Sequence, residues 1–275
     1  MKKQGKSPFT EHLGELRDRL IRAFIAVGIG FVIAYFFKEK LFEILTAPLI
    51  IAMGDNTTSK MIFTGLPEAF FTYLKVSLLT GIIAATPVIF YEFWMFITPG
   101  LYRTEKKYLL PIVILSVFFF LLGSSFGYFI VFPYGFKFFL GFATQTIHAM
   151  PSMKEYLSFA AKMLLAFGFV FELPLVLTFM ARMGLVSVSF LKKNRKYALL
   201  LFFVGAALIT PPDVVTQVMM ALPLMILYEI SIIGAKIFGK KKVVDNDDSN
   251  NKSDKDDKSE SKKQNRKVNP DKKNI

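Results

Sequence analysis

Long apolar runs alternate with short polar interruptions, and the runs set the expected architecture. Residues 1–19 are polar and basic. Within them SPFTEHLGELRDRL (7–20) reads as a short amphipathic helix. Ser7 suits the cap, Pro8 the first helical position, and Glu11 the positive end of the helix dipole. Leu13, Leu16 and Leu20 fall on one face at helical spacing. Glu15 precedes Arg19 by four residues and Asp18 precedes Arg22 by four, the better orientation for helical ion pairs.

Six apolar runs follow, at roughly 20–37, 75–97, 108–132, 157–181, 197–210 and 214–233, most of them long enough to cross a bilayer. A mixed loop with TAPLI (46–50) and GDNTTSK (54–60) is expected between the first two. The fifth run is short: at 1.5 Å per residue it spans about 21 Å, against about 30 Å of hydrocarbon. Pro211-Pro212-Asp213 turns it into the sixth, with Asp213 placed as a helix N-cap. That hairpin either stops short of the far surface or thins the bilayer around it.

Composition sharpens this picture. Of 275 residues 53% are hydrophobic and 20% charged, and the charges are unevenly placed. The N-terminal segment through Arg22, the 98–108 loop, the 182–196 loop and the tail hold 27 of the 34 Lys and Arg; the opposite loops hold five. An excess of cations marks the cytoplasmic face, so both termini are expected there. The net charge of +13 is thereby a topology signal and not one for nucleic acid. The first apolar run is too long for a cleaved signal, and no small-residue cleavage site follows it. The chain divides into a cytoplasmic amphipathic segment (1–19), a transmembrane domain (20–235) and a polar tail (236–275). The tail has no apolar periodicity and is expected to be a disordered tether, with anionic lipid as the alternative use.

The chemistry available is narrow. There is no cysteine, so thiol catalysis and Cys-ligated metal are excluded. His12 and His148 stand apart in sequence, on opposite predicted sides, and no HExxH pattern occurs. No enzyme, metal site or cofactor is expected. Glu172 is the notable polar residue: an acid in mid-span costs about 2.5–3.5 kcal/mol on insertion scales and usually faces a cavity or a partner. Pro174 removes a donor from the Val170 carbonyl, so the helix should loosen beside it. Gln217 is a candidate second polar member of an intramembrane docking site. Glu92 and Glu229 lie nearer span ends and can snorkel.

HLGELRDRL, TAPLI, FWMFITPGLYRTEKKY, FGFVFELP and TPPDVVTQVMMALPLMILYE, in this order over residues 7–233, resemble the TatC family, the receptor subunit of the twin-arginine protein translocase. The resemblance implies an all-α integral membrane protein of a bacterial-type inner membrane. It implies six transmembrane helices in a cup-shaped bundle, the last two short, with cytoplasmic termini. It also implies recognition of twin-arginine signal peptides on folded proteins, single-span TatA and TatB type partners, self-association in a receptor complex, and transport driven by the proton-motive force. Signal-peptide recognition then falls to Glu15 with its motif neighbours Leu16 and Arg17, and to Glu105, Phe96 and Pro99 of the first cytoplasmic loop. Glu172 matches the family's intramembrane glutamate; Pro48, Pro87 and Asp213 match further family positions. Glu92 stands where some relatives carry glutamine. A guanidinium fits a carboxylate bidentately where lysine does not, which suits two separately held glutamates to two adjacent arginines. The competing class is a proton-coupled small-molecule transporter with Glu172 as its ion site.

Overall fold

The computed structural model describes residues 8–54, 61–63, 65–97, 109–144, 149–209 and 214–239. Glu105, Pro99, His148, Asp213 and the tail beyond Gly239 lie outside the described residues. Those described are almost wholly helical, with no strand beyond an isolated bridge between Ile62 and Ser152.

The order is α1 (Pro8–Phe36), α2 (Lys38–Met53), α3 (Glu68–Ala84), α4 (Thr86–Ile97), α5 (Leu109–Phe126), a π-helical segment (Gly127–Val131), α6 (Phe132–Leu140), α7 (Met153–Phe171), α8 (Leu173–Arg182), α9 (Val188–Lys193), α10 (Arg195–Ile209) and α11 (Val214–Phe238). The N-terminal amphipathic stretch and the first span form a single 29-residue helix. Four spans are long and apolar enough to cross a membrane: His12–Phe36, Leu109–Leu140, Met153–Arg182 and Gln217–Phe238. Helices α3 and α4, bent by 53° at Ala85, form a fifth. The fifth apolar run of the sequence is α10, whose 15 residues fall short of a full crossing, as its sequence length indicated, whereas the sixth run extends into the 25-residue α11 and is not short.

The expected loop around TAPLI is instead α2, with Pro48 inside it. Proline has no N–H for the carbonyl four residues back and ordinarily breaks a helix. Here the orphaned Ile44 carbonyl accepts from the Tyr128 hydroxyl of the π-helical segment. The next carbonyl, Leu45, accepts from the Tyr156 hydroxyl of α7 at 2.6 Å. Pro87 follows the same logic: its missing donor to Ile83 is replaced by the Thr86 hydroxyl at 2.8 Å. At Pro174 the Glu172 amide turns to the Phe169 and Val170 carbonyls, and the helix breaks into α7 and α8 as expected. At Pro48 and Pro87 another donor thus takes up the carbonyl that proline leaves unpaired.

Helix α7 is the central pillar. Leu157, Ala160, Met163 and Phe167, spaced by three or four residues, are fully buried along one stripe. Small residues bring backbones together around it. A Cβ built on Gly123 would lie 2.4 Å from the Phe167 carbonyl oxygen, so α5 and α7 touch main chain to main chain. Gly81 of α3 lies equally close to α1, at Phe31. Close approach of this kind is how helices associate where lipid removes the hydrophobic drive.

The contacts also fix which ends lie together. His12 stacks on Phe96, Trp94 meets Phe179 edge to face, and Gly239 sits against Ala181. The start of α1 and the ends of α4, α8 and α11 therefore share one end of the bundle. At the other end Glu68 accepts from Ser152 Oγ at 2.7 Å, the Lys154 amide at 3.0 Å and the Gly65 amide at 3.2 Å, tying the start of α3 to the start of α7.

Candidate functional site

At the end where α1 begins and α4 stops, four charged side chains interlock. Glu15 Oε1 accepts from Arg19 through both Nε and Nη2. Arg19 Nη1 crosses to α4 and donates to Glu92 Oε2 at 3.1 Å. Arg22 Nη1 donates to Glu92 Oε1 at 2.8 Å and to Oε2 at 3.1 Å. The predicted Glu15–Arg19 pair is present. The predicted Asp18–Arg22 pair is not: Asp18 takes its neighbour Arg17 at 2.8 Å, both exposed, while Arg22 turns to Glu92. A buried carboxylate across the interface is the stronger acceptor, since exposed pairs contribute only about 0–1 kcal/mol.

Glu92 does not snorkel. It is buried between α1 and α4 and neutralised by two arginines. No local spacing links residues 70 or more positions apart in sequence. The one available signal was an acid inside an apolar run, the same signal that singled out Glu172. His12 is not isolated either. Its ring stacks on Phe96 with centroids 4.5 Å apart, and Nδ1 lies 3.9 Å from Glu15 Oε2. The structure therefore brings Glu15 and Phe96 together through His12, whereas Leu16 and Arg17 point outward. Whether Glu105 and Pro99 join them lies outside the described residues. Arg19 holds one oxygen of Glu15; the other has His12 as its neighbour, on a side chain 36% exposed. A carboxylate so placed can accept a further guanidinium.

The second polar locus is mid-membrane. Trp94 Nε1 of α4 donates to Ser116 Oγ of α5 at 2.7 Å. The Ser116 hydroxyl lies beside Glu172 at the α7–α8 break. Glu172 Oε1 is buried with no hydrogen-bond partner among the described residues. A carboxyl with an open oxygen in a dry interior suits a polar group brought by another membrane segment. Gln217 does not share this locus. Helices α8 and α11 run parallel, with Thr178 against Gly234, which places Glu172 level with Tyr228. Gln217 lies eleven residues earlier, about 16 Å away along the axis. Its amide donates to the Phe203 carbonyl at 2.9 Å and ties the α10–α11 hairpin. Pro48 and Pro87 shape α2 and the α3–α4 bend as described above. Trp94 and Ser116 had no sequence signal, because an apolar run hides which serine faces which indole. Among the described residues no group of His, Asp and Glu could hold a metal ion.

Residues 11–223 match the family model described as Sec-independent protein translocase protein (TatC). The chain is 79% identical over 253 residues to the Sec-independent protein translocase protein TatC of Desulforapulum autotrophicum, covering 92% of this chain and 93% of that one. The Aquifex aeolicus protein of the same name is 44% identical, covering 86% and 97%, and that of Escherichia coli 35%, covering 86% and 92%. A crystal structure described as the twin-arginine translocase receptor TatC superposes with a TM-score of 0.74 at 43% identity, over 82% of this chain and 99% of that one. The chain is a multi-pass membrane protein and belongs to the TatC family of Sec-independent protein translocase proteins.

Proposed function

We propose that this chain is the signal-peptide receptor and core subunit of a twin-arginine translocase in a bacterial-type inner membrane. Both termini face the cytoplasm, and folded substrates are exported at the expense of the proton-motive force. The supporting observation is Glu15. It sits at the bundle end where the loop carrying Glu105 leaves α4, beside the His12–Phe96 stack, with one carboxylate oxygen not taken by Arg19. The helices α4 and α11, which end there, are followed in sequence by the cation-rich 98–108 loop and tail. Glu15 and Glu105 accept the two adjacent arginines of the signal, with Phe96 and Pro99 shaping the loop.

Hydrogen bonds to charged groups contribute about 1.5–3 kcal/mol each, so two correspond to roughly millimolar to tens-of-micromolar affinity. The apolar stretch of the signal supplies the rest against exposed helix faces such as Phe24, Ile25 and Ile29 of α1. Glu172, with its open oxygen, receives a polar side chain of a single-span TatA or TatB type subunit. The test is export of a folded reporter carrying an Arg-Arg or a Lys-Lys signal. Glu15→Ala and Glu105→Ala should each lower export of the Arg-Arg reporter; normal export by both variants would refute the receptor reading.

A further inference from the structure

Arg19 is shared between carboxylates on two helices. Through Nε and Nη2 it holds Oε1 of Glu15; through Nη1 it reaches Oε2 of Glu92. Burial differs along this chain of contacts. The Arg19 and Glu92 side chains are 13% and 8% exposed, that of Glu15 36%. Arg22 donates to both oxygens of Glu92 from a more exposed position. The four side chains carry two positive and two negative charges, so this cluster is neutral by itself.

We propose that Arg19 is an internal competitor for the signal peptide's arginines, and that Glu92 is the positioning residue that lets Arg19 release Glu15. The inference rests on the reading of Glu15 as a guanidinium acceptor given above. An arriving guanidinium needs both oxygens of a carboxylate for a bidentate fit. Oε1 of Glu15 already accepts twice from Arg19, so a bidentate guanidinium competes with Arg19 for that oxygen. A buried guanidinium left without an acceptor is strongly destabilising. Glu92 removes that obstacle, because Arg19 stays paired on α4 when it lets Glu15 go. The strength of the Arg19–Glu92 contact thus sets how hard Arg19 competes. It also selects for arginine over lysine, since only a forked donor recovers two hydrogen bonds in exchange for the two that Arg19 gives up.

The full-length chain in lipid nanodiscs is titrated with a fluorescent twin-arginine signal peptide and its Lys-Lys counterpart, and Kd is read by anisotropy. Arg19→Gln removes the competitor while Arg22 keeps Glu92 paired, so no buried carboxylate is orphaned. It should tighten the twin-arginine peptide by on the order of tenfold, the effect of one charged hydrogen bond. Glu92→Gln confines Arg19 to Glu15 and should weaken binding by on the order of tenfold. The double variant should follow Arg19→Gln. Unchanged or weaker binding by Arg19→Gln overturns the inference. So does a double variant as weak as Glu92→Gln, which would make Glu92 a direct acceptor of the peptide. Glu15→Gln separates the two levels. If it loses the peptide and Arg19→Gln gains nothing, the competitor fails alone. If it changes nothing and both peptides bind the wild type alike, the receptor reading fails and the competitor with it.

Discussion

Alanine at Gly81 would place a methyl carbon 2.6 Å from the Phe31 amide nitrogen and 2.9 Å from its Cα. Both are main-chain atoms, so no rotamer change relieves the clash. Ordinary contact begins at 3.4 Å, so α1 has to retreat from α3 by about 0.8 Å at the crossing. Overpacking of this kind costs about 1–3 kcal/mol, and a backbone neighbour puts it at the upper end. Alanine also favours the helix over glycine by about 1 kcal/mol, which leaves a net loss of about 2 kcal/mol. Gly28, three residues before Phe31 on the same helix, is the internal control. A Cβ there meets nothing within 4 Å, so Gly28→Ala keeps only the propensity gain of about 1 kcal/mol. The two variants should differ by about 3 kcal/mol. For a body of this size that is roughly 6–12 °C in Tm, measured by thermal unfolding of the detergent-solubilised protein. A Gly81→Ala protein melting at or above Gly28→Ala would refute the packing argument. It would show that the α1–α3 crossing yields without cost.

Ser116→Ala should lower stability by about 1–3 kcal/mol in the same melting assay, because it leaves the Trp94 indole N–H buried without an acceptor; a variant that melts like wild type would remove Ser116 as the bridge. Glu172→Gln should insert and fold normally yet change crosslinking to single-span partner subunits or export of a folded reporter; wild-type values in both would make the buried acid purely structural. Deletion of 240–275 should leave export largely intact, measured with the same reporter, and a severe loss would show that the tail does more than tether.

The sequence by itself determined the helical membrane class and the position of most apolar runs. Unbroken apolar runs can satisfy their main-chain groups in lipid only as helices, so length and hydropathy suffice to place them. It also located the helix break at Pro174 and the Glu15–Arg19 pair, because each depends on residues within four positions of one another, and the short α10 run, which its length alone reveals. What it could not show lies between helices. A proline predicts a broken helix, yet Pro48 sits inside α2, where Tyr128 from another segment supplies the donor that the Ile44 carbonyl lacks. By its place near a span end Glu92 is a snorkelling acid; in the fold it is buried under Arg19 and Arg22. Gln217 and Glu172 looked like partners on polarity alone, yet the parallel packing of α8 and α11 sets them at different depths. An apolar run carries a strong signal for burial and almost none for rotation about its axis or register against its neighbours. Those are set by where two glycines let backbones touch and where one buried charge finds another, and only the folded chain fixes them.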